Sequence, residues 1–145
     1  MMMGRTQCRG PGTLVETLTR VLEETVNVRL AVLFGSAAKG ALTAGSDIDI
    51  GVSMEGDGHV APALCVALER AIGRPVDVVM LHDAPPLVRF EIARGGVVLV
   101  ERHPHGWADF RAHAMIDWWD WAPTARMMHE VMAGRLRDEA RRGPA

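Results

Sequence analysis

The apolar positions open in helical rhythm. Leu14, Leu18, Val21 and Leu22 recur at spacings of three and four, which predicts a helix over residues 13–25. Residues 28–34 follow as a nearly unbroken apolar run rich in β-branched side chains, the pattern of a strand covered on both faces. Gly35 and Ser36 end it. Ser36 is a good N-cap for a short helix through Lys39, and Gly40 stops that helix. After turn material at 43–46, residues 47–52 alternate. Ile48, Ile50 and Val52 point one way; Asp47, Asp49 and Gly51 point the other.

Helical spacing returns over residues 60–72, where Leu64, Leu68 and Ile72 stack four apart, and GRP breaks it. A third strand covers 76–81 and carries Asp77. Pro85 or Pro86 opens a helix to about Arg94, Gly95-Gly96 closes it, and 97–100 read as a fourth strand. Beyond Pro104 the chain is helical again, with Pro123 separating two helices. The expected fold is therefore α/β (α+β), a small mixed β-sheet of about four strands flanked by helices. Residues 1–12 read as a disordered lead-in, 13–103 as the core, and 104–145 as a C-terminal helical extension of the same domain.

A length of 145 residues suits one compact domain, and 48% apolar with 23% charged residues is ordinary globular composition. The net charge of -2 argues against stable binding of long nucleic acid. No apolar stretch is long enough to span a membrane, and the N-terminus lacks the apolar core of a signal peptide. Two cysteines, Cys8 and Cys65, form no disulfide framework or zinc spacing, so a reduced cytoplasmic chain is expected.

The chemistry concentrates in LFGSAAKGALTAGSDIDIGV, residues 33–52. Asp47 and Asp49, at i and i+2 of one strand, share a face. Close carboxylates repel, and a divalent cation removes the conflict; Mg²⁺ prefers carboxylate oxygens together with substrate phosphates. Gly35 lets backbone come close to a bulky ligand, and a helix start at Ser36 just after a strand would offer free N–H groups and a positive dipole end that suit a phosphate. Asp77 lies in an otherwise apolar strand, where a lone carboxylate is costly. Beside the Asp47/Asp49 strand it completes a three-carboxylate cluster able to hold two metals and activate a hydroxyl.

At these residues the chain resembles the polymerase-beta-like nucleotidyltransferase superfamily, and within it the minimal nucleotidyltransferase (MNT) branch. That pattern is Gly-Ser, a spacer, Asp-x-Asp and a later strand Asp, here Gly35, Ser36, Asp47, Asp49 and Asp77. The resemblance implies the polymerase-beta-like nucleotidyltransferase fold, ATP as substrate and two Mg²⁺ ions held by Asp47, Asp49 and Asp77. Lys39 stands where the family commonly has Arg before the second loop glycine, which keeps the charge and loses the planar fork. Lys39 and Ser46 join Gly35 and Ser36 as expected nucleotide-binding residues.

The layout after residue 85 is similar to MNT antitoxins that pair with HEPN-domain toxins. It implies AMP transfer from ATP to a tyrosine of the toxin, as in a type VII-like antitoxin. Two alternatives stay open: a small-molecule, aminoglycoside-like nucleotidyltransferase, and an antitoxin acting by binding only. Elsewhere, His103-x-His105 lacks a third ligand at zinc spacing. Helical spacing assigns Trp107, Trp118 and Trp121 to core or interface, and places Trp119 off their face, toward a partner.

Overall fold

The computed structural model describes residues 11–43, 45–56, 58–60 and 62–142. The lead-in expected at residues 1–12 falls largely outside these residues. α1 (Pro11–Glu23) is followed by β1 (Val28–Phe34), β2 (Ile48–Met54), α2 (Pro62–Ile72), β3 (Val76–Met80), α3 (Pro86–Gly95), β4 (Val97–Glu101) and α4 (Gly106–Arg142). The strands form one mixed sheet of order β3-β2-β1-β4. β1 runs antiparallel to both β2 and β4, and β2 runs parallel to β3. α2 makes the crossover that a parallel pair requires.

The central position of β1 explains its unbroken apolar run, because both of its faces are covered. One face carries Leu33, Ile48, Ile50 and Val52 under Leu18 and Leu22 of α1 and Leu64 and Leu68 of α2. The other carries Leu30 and Val32 under Ile92 of α3, with Val88, Trp107 and Phe110 packed around them. α3 and α4 are thus the roof of the second face.

Two expected elements differ. No helix forms after Ser36: residues 35–40 make turns, with single bonds from Lys39 N–H to the Gly35 carbonyl (3.3 Å) and from Ala41 N–H to the Ser36 carbonyl (2.9 Å). Gly35 and Gly40, both at positive φ, bracket too few residues for a second turn. Pro123 does not divide the C-terminal region, which is one 37-residue helix, about 55 Å long. Proline removes one hydrogen bond and bends a helix rather than ending it. Here the preceding turns are fixed against α3 by Phe90 stacked on Trp118 (centroids 4.9 Å apart) and by Arg89 paired with Asp117 (2.6 Å).

The sheet is roofed closely at Gly96. A Cβ there would lie 2.6 Å from the Ile92 carbonyl oxygen and 2.5 Å from Val32 Cγ1. Gly96→Ala is therefore expected to destabilise the fold by about 1–3 kcal/mol, the scale of overpacking. Urea unfolding measures it, and an unchanged midpoint would show that α3 and β1 yield freely.

Candidate active site

The site is assembled where β1 ends and β2 begins. Strand register fixes it. Asp49 is opposite Phe34 of β1 on one side and opposite Asp77 of β3 on the other. Side chains at paired positions share a face, so Asp49 and Asp77 project together from strands about 4.8 Å apart. Asp47, two residues earlier, joins them. Asp49 is half-buried, whereas Asp47 and Asp77 are exposed. The exposure of Asp77 corrects one expectation. β3 is an edge strand, so the carboxylate is not trapped in apolar surroundings; its place opposite Asp49 is what ties it to the site.

The three acids act on one another. Burial, then Asp77, then Asp47 push the Asp49 carboxyl above its ordinary value. That is the electrostatic conflict expected of clustered carboxylates, and a cation relieves it. No three His, Cys, Asp or Glu side chains among the described residues converge tightly enough to enclose a metal ion by themselves. The donor set nevertheless fits Mg²⁺, which takes one or two carboxylates and completes its shell with water and substrate phosphate.

Gly35 closes the other side. Its φ is +74°, and a Cβ would lie 2.5 Å from Asp49 Oδ2. Only glycine lets the loop backbone come this near the carboxylate. The loop's own bonds use the N–H groups of Lys39, Gly40 and Ala41. Those of Ser36, Ala37 and Ala38 donate to none of its carbonyls and suit an anion. Buried Ala37 anchors the loop to the core.

Beside it opens a cavity of about 310 Å³ lined by Phe34, Gly35, Lys39, Leu87, Val88 and Glu91, with Gly95. Gly35 and Lys39 are thus brought together at one cavity next to the carboxylates. Its far wall is α3. Leu87, Glu91 and Gly95 lie four apart on one helical stripe, which is the signal that identifies the wall. Glu91 also pairs with Arg94 at 3.2 Å. Ser46 is placed otherwise. Its Oγ accepts from Thr43 N–H (3.0 Å) and bonds Thr43 Oγ1 (2.7 Å), which closes the turn leading into Asp47. His103 Nε2 bonds Glu55 at 2.7 Å. Trp119 is 71% exposed, as its position off the Trp118 face implies.

With no helix behind it, Ser36 is not a cap. Ser36→Ala is expected to leave stability within about 0.5 kcal/mol while weakening binding of a nonhydrolysable ATP analogue. Calorimetric titration beside a melting curve separates the two; unchanged binding would remove Ser36 from the site.

Comparison with known proteins agrees with this geometry. The family profile described as polymerase beta, nucleotidyltransferase matches residues 16–105. The chain belongs to this nucleotidyltransferase family. No match is found among curated proteins. Among solved structures, a toxin–antitoxin complex with AMP-PNP has a chain 22% identical, covering 81% of this chain and 98% of that one at a TM-score of 0.68. The complex of a tri-AMPylated Shewanella oneidensis HEPN toxin with an MNT antitoxin is similar at 20% identity, 84% and 98% coverage and a TM-score of 0.65. A structure described as a minimal nucleotidyltransferase is 27% identical over 63% of this chain and 97% of its own, at a TM-score of 0.55. These likenesses establish the fold and accord with the minimal nucleotidyltransferase resemblance in the sequence. No helix among the described residues is long and apolar enough to cross a membrane.

Proposed function

We propose that the chain is an antitoxin that transfers AMP from ATP to a tyrosine hydroxyl of a HEPN-type toxin. The observation that carries the reading is the register that sets Asp49 opposite Asp77, with Asp47 just before β2, beside the Gly35 loop and its cavity. The similarity to toxin–antitoxin structures, one with AMP-PNP and one with an AMPylated toxin, supports the choice of nucleotide and acceptor.

In this reading the cavity takes the nucleotide. Free N–H groups of the Gly35 loop meet the triphosphate, and Lys39 adds a positive charge at the same wall. Asp47, Asp49 and Asp77 hold the Mg²⁺, which would neutralise charge on the α-phosphate and on leaving pyrophosphate. The acceptor oxygen bonds to the α-phosphorus as the α–β anhydride bond breaks. Asp77, exposed on the edge strand, takes the phenol proton. Trp119 and the neighbouring exposed Ile116 of α4 offer the partner a docking face.

ATP labelled at the α-phosphate, incubated with Mg²⁺, this chain and a small helical HEPN-type protein, tests the acceptor. Label on the partner is the expected result. Label on an aminoglycoside with an untouched partner would replace the reading with a small-molecule enzyme. An unlabelled but neutralised partner would indicate inhibition by binding.

A further inference from the structure

α3 separates two cavities on the roofed face of the sheet. Leu87, Val88 and Glu91 line the first, beside the carboxylates; Arg89 lines a second, of about 260 Å³, at the opposite end. The floor of the second is Leu30 and Ser53, which are register partners on β1 and β2. Leu30 is four residues along β1 from Phe34, so the two cavities lie about 13 Å apart along the strand.

The lining of this second cavity is basic. Arg29, His82, Arg89, His103 and His113 face it, against the single carboxylate of Asp109. Among the described residues Arg29 is held by a 3.7 Å ion pair with Glu55, which bonds His103 more closely, and His82 lies 3.4 Å from Asp83. Arg89 gives Nη1 to Asp117, while its Nε is buried with no hydrogen-bond partner among the described residues. Glu55 and Asp117 are not part of the lining. The histidines and Asp109 do not supply a metal site, since no three such groups converge among the described residues.

We propose that this cavity binds a small multivalent oxyanion of the phosphate class. Two guanidinium groups on different elements match tetrahedral phosphate oxygens through their planar forks, and the histidines add donors around them. Asp109 opposes the anion and keeps the affinity modest. The site is independent of the transfer reaction: none of its residues belongs to the carboxylate cluster or the Gly35 loop.

The test is a nuclear magnetic resonance titration of the full chain without Mg²⁺, with inorganic phosphate in one arm, pyrophosphate in another, and chloride at matched ionic strength as control. Saturable shifts at the amides of Leu30, Ser53 and Gly106 are expected, and the arm that saturates earlier identifies the source of the anion. Arg29→Gln, at a half-exposed position, should weaken binding roughly tenfold, the worth of one charge-assisted hydrogen bond. Arg89→Lys, which keeps charge and loses the fork, should weaken it comparably, with a melting curve to establish folding. Asp47→Asn should leave binding unchanged. Shifts confined to Gly35 and Ser36, no shifts beyond those in chloride, or an Arg29→Gln variant of undiminished affinity would overturn the proposal.

Discussion

Asp49→Asn is expected to abolish AMP transfer, by on the order of 10³-fold or more, while making the metal-free protein melt at a higher temperature. The two effects share one cause. Asp49 sits between Asp47 and Asp77 and is half-buried, so its carboxyl is pushed above the ordinary value. A folded state that raises an acid's pKa binds the proton more tightly than the unfolded chain does. The associated stability is present below the ordinary carboxylate pKa of about 3.9 and is lost as pH rises through the raised folded value. Above that window the ionised carboxylate destabilises the fold unless a cation answers it. The amide of the variant stays neutral and escapes this cost, but gives up a metal ligand, with a loss of the scale seen when charge stabilisation is removed from a transition state. Melting curves in chelator across pH should show the variant's advantage near neutrality and its disappearance in acid. A folded Asp49→Asn variant that transfers AMP at the wild-type rate would remove the cluster from catalysis.

The second large effect is expected at Gly35→Ala. The substitution places a Cβ where φ is +74° and where Asp49 Oδ2 would be 2.5 Å away. The backbone preference alone costs about 1–2 kcal/mol. Relief requires either the loop or the carboxylate to move, and both belong to the proposed reaction geometry. A displacement of about 1 Å in such a site can cost around 10²-fold in rate. Activity should therefore fall by roughly that factor or more, while urea unfolding shows a change of only a few kcal/mol. Equal, small losses in both would mean that the loop does not hold the nucleotide.

Much of this site was legible from residue order alone because strand periodicity determines side-chain direction. The apolar run at 28–34 matched β1 residue for residue, while Asp47, expected to open the second strand, lies just before β2. What was not legible depended on contacts distant in sequence. The pairing of Asp49 with Asp77 needs the parallel alignment of β2 and β3, which neither strand encodes by itself. The exposure of Asp77 follows from β3 lying at the sheet edge, a property of strand order. The wall built by Leu87, Glu91 and Gly95 forms only once α3 is docked across β1. Pro123 misled in the other direction. A local helix breaker is outweighed when the turns before it are fixed by Trp118 and Asp117 against α3. At Ser36 a good cap residue precedes a segment too short for the helix it would cap.

The central claim is that the carboxylate face moves AMP onto another protein's tyrosine. The chain itself contains no tyrosine, so the acceptor phenol must arrive on a partner. A phenol has a pKa near 10 and needs a base or metal beside it to attack at neutral pH. The most direct measurement is intact and peptide-level mass spectrometry of this chain with ATP, Mg²⁺ and a helical HEPN-type partner. The account predicts AMP added to a partner tyrosine, no AMP on this chain, and neither product with Asp49→Asn. AMP found on this chain, or an unmodified partner in the presence of ATP turnover, would contradict it.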